Sequence, residues 1–348
     1  MRARRKTVLV TGGAGFMGSN FVRYLLRKYP RYKIVVLDAL TYAGNTENLP
    51  KIDNQNRNGR FSFWYGNIRN GELVDSLVSQ SQVVFHFAAE THVTRSIYDN
   101  QLFFETDVLG TQVVANAVLK YSKSVERFIH ISSSEVYGTA MAEVMDEGHP
   151  LAPMSPYAGA KAGADRLVYS YWATYDIPAL IVRPFNNYGP YQHLEKVIPR
   201  FITSCILNEP LTIHGDGKSQ RDWLYVGDFC RALDVLMHCD VERVRREVIN
   251  IGTGRSTDIL TIAELVLKKM KRPRSLIRYI GDRPGQVFRH TASIAKANGL
   301  LGWSPTTELE QGLDKTIDWY QKNRKWWEKM LWMRAIPIVS KKGTIEYH

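Results

Sequence analysis

A short apolar strand that runs directly into a glycine-rich turn and then into a helix most constrains the fold of this chain. Val8-Leu9-Val10-Thr11 is followed by Gly12, Gly15 and Gly18, which hold the first, fourth and seventh positions of the turn. Glycine permits the tight turn and the close approach of a pyrophosphate, and the N-terminus of the helix offers unpaired N–H groups. The pattern therefore predicts a parallel α/β sheet that binds a dinucleotide.

Strands and helices alternate along the first half of the chain. Apolar, β-rich runs predict strands at residues 7–11, 33–37, 61–65, 83–87, 127–132 and 179–183. Runs with helical period predict helices at residues 15–28, 72–79, 101–121 and 156–175. Such alternation is typical of a parallel sheet that is covered on both faces. The expected fold class is α/β, with a Rossmann-type doubly wound parallel sheet.

The second half of the chain is expected to form a smaller C-terminal α/β substrate lobe. It begins after Arg183 with a segment dense in turn formers. Helices are expected at residues 197–207, 261–270 and 307–322, with strands at 211–214 and 276–280, and a strand at 247–251 is expected to return to the main sheet. The predicted organisation is an NAD-binding domain at residues 1–185, a substrate-binding lobe at 186–335 and a tail at 336–348.

The composition favours a cytoplasmic enzyme. The net charge is +12, but enzymes with dianionic substrates also carry such Lys and Arg clusters, and we expect no nucleic-acid partner. No apolar run approaches the roughly 20 residues of a bilayer span, so no membrane association is expected. Cys205, Cys230 and Cys239 lack metal-ligand spacing. They are expected to be buried thiols in a reducing cytoplasm, and no metal site is predicted.

Tyr157 and Lys161 are the strongest candidates for catalysis. They lie four residues apart in a predicted helix, so their side chains share one face. A lysine ammonium beside a phenol favours the phenolate and lowers a pKa that is ordinarily about 10. Tyr157 is therefore a candidate general base. An ordinary surface pair is the alternative, but the glycine-rich turn and a polar run just upstream favour a catalytic pair.

That polar run, Ser132-Ser133-Ser134-Glu135, follows the predicted fifth strand. Parallel sheets bind ligands beyond the carboxyl ends of their strands. A serine hydroxyl there can hold the substrate alcohol that Tyr157 oxidises, and the Glu135 carboxylate can act as a second acid or base. The alternative is a polar turn whose serines cap the next segment.

Further cofactor contacts are predicted at the ends of the other strands. Asp38 ends the second strand, where a carboxylate accepts hydrogen bonds from a ribose diol and repels a 2′-phosphate, so NAD is favoured over NADP. Asn67 and Ile68 are expected beside the adenine, and Ala88 and Ala89 leave backbone room for the cofactor. Two residues of the glycine-rich turn complete the predicted contacts, Phe16 and Met17.

Several longer motifs make the chain resemble the nucleotide-sugar 4,6-dehydratases of the extended short-chain dehydrogenase/reductase superfamily, particularly the dTDP-glucose 4,6-dehydratase family. The resemblance runs nearly end to end. Besides the glycine-rich turn and Ser133, Tyr157 and Lys161, the motifs that carry it are Asp38-Ala-Leu-Thr-Tyr-Ala-Gly-Asn45 with Glu47-Asn-Leu49, Ala88-Ala-Glu-Thr-His92-Val, Glu135-Val-Tyr-Gly, Asn186-Asn-Tyr-Gly-Pro-Tyr-Gln with Glu195-Lys196, His214-Gly-Asp-Gly with Arg221-Asp-Trp-Leu-Tyr-Val, and Asp282-Arg-Pro-Gly285.

This resemblance implies an NAD-dependent lyase that acts on a nucleoside diphosphate sugar. Tyr157 would take the proton of the C4 hydroxyl that Ser133 holds, and Lys161 would bind the nicotinamide ribose. Glu135 would remove the C5 proton before water leaves from C6. The resemblance also implies substrate contacts for His92, Asn186, Asn187, Lys196, Arg221 and Arg283. The helices at 101–121 and 156–175 match those that pair between subunits of this superfamily, which implies a homodimer.

Residues 133–135 depart from the family pattern, which normally reads Thr-Asp-Glu. In that family the Asp protonates the departing C6 hydroxyl, and Ser134 is a far weaker acid. Glu135 would then deliver the proton itself or through a water. The Ser-Glu pair is similar to that of GDP-mannose and UDP-N-acetylglucosamine 4,6-dehydratases and of UDP-glucuronate decarboxylases. Gln286 also stands where dTDP-glucose dehydratases usually carry His.

Three other functions stay open beside the preferred 4,6-dehydratase. A UDP-glucuronate decarboxylase needs an arginine for the C6 carboxylate, and Arg183, Arg283 and Arg289 are candidates. A nucleotide-sugar 4-epimerase uses the tyrosine chemistry alone and leaves Glu135 without a role. A dinucleotide-sensing regulator on the same fold needs no intact Tyr157–Lys161 pair.

Overall fold

A computed structural model describes residues 6–50, 59–282, 285–334, 337–339 and 344–347. Its main feature is a seven-stranded parallel sheet with helices on both faces. The strands of the described residues are β1 (Thr7–Thr11), β2 (Lys33–Asp38), β3 (Phe61–Tyr65), β4 (Val83–His86), β5 (Arg127–Ile131), β6 (Ala179–Pro184), β7 (Asn186–Tyr188), β8 (Leu211–His214), β9 (Gln220–Tyr225), β10 (Val248–Ile251), β11 (Ser256–Asp258), β12 (Ile277–Ile280), β13 (Pro337–Val339) and β14 (Ile345–Tyr347).

The helices account for most of the remaining regular structure. They are α1 (Phe16–Lys28), α2 (Gly71–Ser79), α3 (Val93–Tyr98), α4 (Asn100–Phe103), α5 (Thr111–Lys120), α6 (Pro156–Tyr175), α7 (Val197–Leu207), α8 (Val226–His238), α9 (Ile259–Lys269), α10 (Ala295–Leu301), α11 (Leu309–Lys322) and α12 (Arg324–Trp327). Phe104–Gly110 is a π-helical segment that joins α4 to α5. Short 3₁₀ turns include Ser134–Tyr137, which follows β5.

The order of strands in the main sheet is β10-β6-β5-β4-β1-β2-β3. All its pairs are parallel, with β1 between β2 and β4. The strand order therefore reverses at β1, and open α/β sheets bind ligands in the crevice beyond such a point. This arrangement confirms the predicted Rossmann-type doubly wound α/β fold.

The chain returns to the first domain after leaving it. Strand β10 pairs with β6 at the edge of the main sheet. Helix α8 also joins the core of that domain through Phe229, Leu233 and Leu236, which pack in one cluster with residues of β1 and α1. Helix α8 was not predicted from the sequence. A second cluster, built from α7, α9 and α11, forms the core of the C-terminal lobe.

The helical stretch Asn100–Lys120 has an unusual composition. By length and mean hydropathy (1.2) it meets the test for a membrane span, and half of its apolar window is buried inside the protein. The core helix of a soluble protein passes the same test, so this feature by itself is weak evidence for a membrane.

The three cysteines are free thiols. Cys205 and Cys230 are buried, as predicted, whereas Cys239 is partly exposed. The prediction of three buried thiols was therefore wrong for Cys239. This residue follows the last turn of α8, and its thiol donates to the carbonyl of Leu236 at 3.7 Å.

Candidate active site

A cavity of about 680 Å³ opens at the carboxyl ends of the main-sheet strands and extends toward the C-terminal lobe. It brings together nearly all the residues that the sequence singled out. Those that line it are Gly12, Gly15, Phe16, Met17, Gly18, Asp38, Asn67, Ile68, Ala88, Ala89, His92, Ser133, Ser134, Glu135, Tyr157, Lys161, Asn186, Asn187, Lys196 and Arg221. Arg283 lies outside the described residues.

The glycine-rich turn forms a close-packed cradle at one end of this cavity. A Cβ atom on Gly12, where φ is +68°, would lie 2.5 Å from the backbone nitrogen of Ala88. A Cβ atom on Gly18 would lie 2.4 Å from the carbonyl oxygen of Gly12. Among the described residues other than its chain neighbours, a Cβ atom on Gly15 would meet that carbonyl oxygen alone within 4 Å, at 3.3 Å, which leaves room on the side of the cavity. These spaces and the N-terminus of α1 fit a dinucleotide pyrophosphate.

Replacing Gly18 by alanine should therefore damage the cradle. The methyl group would collide with backbone, which cannot rotate away, and overpacking of this kind costs about 1–3 kcal/mol. We expect a lower melting temperature and a large loss of NAD affinity in calorimetric titration. Gly299→Ala in α10 is the matched control, since its new Cβ meets nothing within 4 Å. Equal NAD affinity of the two variants would contradict the assignment of the cradle.

Asp38 lies at the end of β2, beside the cradle. Its carboxylate accepts hydrogen bonds from the backbone N–H groups of Ala14 and Leu40, both at 2.8 Å. Burial raises the pKa of Asp38, and these two N–H donors act in the opposite direction. The carboxylate is thereby held rigidly at the cavity wall. This position suits the predicted contact with a ribose diol.

The polar run after β5 forms the 3₁₀ turn Ser134–Tyr137. Ser133 caps this turn, because its Oγ accepts from the N–H of Glu135 at 3.1 Å. The turn ends at Gly138, where φ is +70° and a Cβ would lie 2.1 Å from the carbonyl oxygen of Ala152. The capping alternative is thus realised at Ser133. It does not exclude a catalytic role, since the side chains of Ser133, Ser134 and Glu135 also line the cavity.

Tyr157 begins the first turn of α6 and faces this polar run. The side chains of Ser133 and Thr91 lie near its hydroxyl. Burial is the largest influence on Tyr157 and raises its pKa; Asp107 and Glu135 add to the rise. The expected lowering of this pKa by Lys161 is therefore not what the structure shows. The Lys161 ammonium instead donates a hydrogen bond to the carbonyl of Ile131 at 2.8 Å.

A buried carboxylate behind Lys161 was not predicted from the sequence. Asp107 lies in the π-helical segment, and one of its oxygens accepts from the N–H of Glu90 at 2.7 Å. Burial raises the pKa of Asp107 to about 7, although the nearby charge of Lys161 opposes this. Conversely, burial lowers the pKa of Lys161, while Asp107 and Asp165 raise it. The buried Lys161 side chain thus has two acidic neighbours whose charges favour its protonated form.

The far end of the cavity presents amides and cations to a ligand. Among the described atoms, the side-chain oxygens of Asn186 and Asn187 are buried without a hydrogen-bond partner. Lys196 and Arg221 line the same region. Charged donors and amides of this kind suit the oxygens of a diphosphate and the hydroxyls of a sugar. The predicted substrate residues that the structure describes therefore share one cavity with the dinucleotide cradle.

A buried cluster of charged side chains lies next to Lys196 on this side of the cavity. It was not predicted from the sequence. Glu195 accepts hydrogen bonds from Arg95 and Tyr42, both at 2.9 Å. Burial raises the pKa of Glu195, but the surrounding cations, with His92 and Lys196 foremost, bring it down to about 2. The Arg95 guanidinium also lies 3.9 Å from the centre of the Tyr42 ring. No local spacing in the sequence joins residues 42, 95 and 195.

The structure corrects the interpretation of Arg183 as an anchor for a substrate carboxylate. Its guanidinium is buried and forms two hydrogen bonds of 2.9 Å with the carboxylate of Asp165. A third bond of 2.9 Å reaches the hydroxyl of Tyr137. Arg183 does not line the cavity, so it serves the core of the first domain. Arg289 donates to the carbonyl of Ala142 at 2.7 Å.

Across the described residues, no group of three His, Cys, Asp or Glu side chains is placed to hold a metal ion. A dinucleotide cradle, a Ser–Tyr–Lys set and a carboxylate share one cavity at the switch point of a doubly wound sheet. Together they define a dinucleotide-dependent enzyme of the extended short-chain dehydrogenase/reductase type.

Comparison with known proteins places the chain within this class. A family model described as GDP-mannose 4,6 dehydratase matches residues 9–316. A dTDP-glucose 4,6-dehydratase of Streptomyces niveus is 41% identical, with 93% of this chain and 95% of that protein covered. The low-salt glycan biosynthesis protein Agl12 of Haloferax volcanii is 45% identical, with 90% and 98% covered.

Solved structures agree with the sequence relatives. The dTDP-glucose 4,6-dehydratase DesIV of Streptomyces venezuelae, crystallised with NAD, superposes with a TM-score of 0.87 at 38% identity and covers 93% of this chain and 99% of its own. The NAD complex of the Bacillus anthracis dTDP-glucose 4,6-dehydratase gives a TM-score of 0.85 at 38% identity, with the same coverage. This chain belongs to the GDP-mannose 4,6-dehydratase family, and it is an NAD-dependent nucleotide-sugar 4,6-dehydratase.

Proposed function

We propose that this enzyme dehydrates a pyrimidine nucleoside diphosphate-glucose, with Tyr157, Ser133 and Glu135 as the residues that contact the reacting sugar. One observation carries the assignment of roles: these three side chains meet in the same cavity as the dinucleotide cradle. The nucleotide and sugar are supported by relatives named as dTDP-glucose and UDP-glucose 4,6-dehydratases, which are 38–41% identical to this chain.

Tyr157 and Ser133 are placed for the first step. The Ser133 hydroxyl would hold the oxygen at C4, and the Tyr157 oxygen would take its proton. NAD⁺, when bound, supplies the acceptor for the C4 hydride and returns that hydride to C6 at the end. Lys161, which lines the cavity and donates to the carbonyl of Ile131, would bind the nicotinamide ribose.

Glu135 is placed for the second step. A ketone at C4 acidifies the proton at C5, because the carbanion is stabilised as an enolate. The Glu135 carboxylate lines the cavity next to Ser133 and Ser134 and would remove this proton. Loss of the C6 hydroxyl as water then leaves a double bond between C5 and C6. Hydride return to C6 and transfer of a proton back to C5 then give a 4-keto-6-deoxy sugar.

The substrate is best tested with a panel of dTDP-, UDP-, GDP- and CDP-sugars that includes UDP-glucuronate, with product masses as the readout. We expect dTDP-glucose or UDP-glucose to lose the mass of one water. Loss of CO₂ from UDP-glucuronate would instead identify a decarboxylase. An unchanged mass with a new chromatographic peak would identify an epimerase, and water loss from GDP-mannose alone would refute the proposed nucleotide and sugar.

The exposed apolar surface of two helical segments supports a homodimer. Phe104 and Leu109 lie on the stretch Asn100–Lys120, and their side chains are 45% and 52% exposed. Tyr169 and Tyr175 of α6 are also exposed. A Cβ on Gly159 of α6 would lie 3.8 Å from the ring of Phe104, so the two segments pack side by side. Pairing with a second copy would remove this apolar surface from water.

The double change Phe104→Glu and Leu109→Glu should therefore produce a monomer. Charges on both subunits would repel each other across the symmetric contact, and their burial would be costly. Sedimentation velocity should show a dimer for the wild type and about half that mass for the variant. Met141→Glu, at a side chain that is 77% exposed elsewhere, is the control. A monomeric wild type would rule out the dimer.

The three free thiols are consistent with the proposed cytoplasmic location.

A further inference from the structure

His290 lies directly behind the catalytic turn, outside the residues that line the cavity. Its side chain is fully buried. The Nδ1 atom of its ring is 3.4 Å from the Oγ of Ser134 and 3.9 Å from a carboxylate oxygen of Glu135. One imidazole nitrogen is thus next to both residues that would have to exchange a proton during the loss of water.

The partner of the other ring nitrogen fixes the tautomer. Nε2 of His290 is 2.8 Å from the carbonyl oxygen of Gly138. A carbonyl only accepts, so Nε2 must carry the hydrogen and donate it. In the neutral ring Nδ1 is then an acceptor that faces Ser134 and Glu135. Serine and carboxylate share this single nitrogen, whereas a hydrolytic triad places them on opposite nitrogens of the ring.

The surroundings of His290 favour the neutral ring. Burial is the largest influence and lowers the pKa of His290, and the charge of Arg221 on β9 acts in the same direction. Glu135, on the 3₁₀ turn, acts oppositely, and His149 is a further titratable neighbour that lowers the pKa. The ring of Phe185 covers another side, with ring centres 6.2 Å apart. A neutral imidazole can accept a proton and pass it on.

We propose that His290 is a positioning residue that carries the proton from Glu135 to Ser134, so that Ser134 can protonate the hydroxyl leaving from C6. The proposal rests on the dehydratase function and on the role of Glu135 given above. The relay compensates for the weak acidity of Ser134. A serine hydroxyl can give up its proton when a second proton arrives at its oxygen in the same step.

The steps balance in protons and electrons. Glu135 takes the C5 proton, and the electron pair of the C–H bond forms the C5–C6 double bond. The proton passes from Glu135 to Nδ1 of His290, and from there to the Oγ of Ser134. The hydroxyl proton of Ser134 moves to the C6 oxygen while the C6–O bond breaks and water leaves. All three residues then have their original protons, with no oxidant or reductant besides the bound NAD.

His290→Gln tests the relay, since the amide can still donate to the carbonyl of Gly138 but cannot carry a proton. The holoenzyme is mixed with substrate in D₂O, and three rates are followed: NADH absorbance, deuterium incorporation at C5 and water loss by mass. We expect NADH formation and C5 exchange at wild-type rates, with water loss slower by about 10²-fold. The ratio of water loss to C5 exchange should fall at acid pH in the wild type only, because protonation of the ring removes the acceptor.

Two further variants keep the test decisive. Ser134→Asp supplies an acid at the leaving group, so in the His290→Gln background it should restore water loss. His149→Gln is the matched control. This buried histidine is hydrogen-bonded to the backbone of Met141 and Pro150 and does not touch Ser134. The variant should therefore have the wild-type ratio of water loss to C5 exchange. Equal loss of all three rates, or no rescue by Asp, would give His290 a structural role only.

The outcome for His290 is separable from the outcome for the function. If the wild-type enzyme removes water from no sugar of the panel, the dehydratase assignment fails and the relay with it. If the wild type removes water and His290→Gln does so equally fast, only the relay is refuted. Wild-type melting temperature and NAD affinity in the variant would exclude misfolding as the cause of any change.

Discussion

Tyr157→Phe should greatly slow oxidation at C4. Phenylalanine keeps the ring that packs edge-on against Phe103, with centres 6.1 Å apart, but has no oxygen to take the substrate proton. Removal of a general base costs about 10²- to 10⁴-fold in rate. Because burial raises the pKa of Tyr157, its phenolate fraction increases as the pH rises, so C4 oxidation in the wild type should accelerate with pH. Stopped-flow NADH absorbance measures both effects.

The control for this substitution is Tyr279→Phe on β12, where the side chain is exposed and lies outside the cavity. It makes the same chemical change away from the site and should leave NADH formation as in the wild type. NAD affinity should be retained in both variants. Rapid NADH formation by Tyr157→Phe would show that another group is the base and would refute the assignment.

Glu135→Gln should separate the first step from the second. The glutamine side chain has nearly the same shape as that of glutamate, and the hydrogen bond from the backbone N–H of residue 135 to the Oγ of Ser133 is unaffected. The side-chain amide, however, cannot accept the C5 proton. We expect NADH to form and then to accumulate. Deuterium incorporation at C5 and water loss should both decrease by about 10²- to 10⁴-fold. This pattern differs from that of His290→Gln, in which exchange at C5 continues.

Glu147→Gln provides the comparison for this variant. Glu147 is a partly buried acid that accepts from the N–H of Asn250 at 2.8 Å, and it does not line the cavity. The Glu147→Gln variant should therefore have the wild-type ratio of C5 exchange and water loss to NADH formation. If Glu135→Gln exchanged deuterium at C5 at the wild-type rate, the base would have to be sought elsewhere in the cavity.

The local patterns of the sequence predicted most of what positions the catalytic groups. The strand–turn–helix unit at residues 7–28 needs only neighbours along the chain, and the structure has it as β1, the glycine cradle and α1. The Tyr157–Lys161 pair depends on one turn of a helix, and α6 provides it. The parallel order of the strands also followed, because alternating strands and helices have few other ways to bury their apolar faces.

Long-range contacts were beyond the reach of these patterns. Arg183 looked available for a ligand, yet Asp165 on α6 neutralises it in the core. Burial has the largest influence on the pKa of Tyr157 and raises it, and burial depends on every element around the cavity. Helix α8 packs on the first domain, although it comes after the predicted substrate-binding residues in the sequence.

The sequence by itself determined the fold and the dinucleotide, and it supplied the candidate residues for contact with the reacting sugar, since each depends on short spacings and on the chemistry of single side chains. Only the tertiary structure decided which distant residues meet them. His290 lies 156 residues from Ser134 along the chain, and Glu195 lies 100 residues from Arg95. Proton transfer and charge balance act over a few ångströms of space, so they depend on packing that no local pattern encodes.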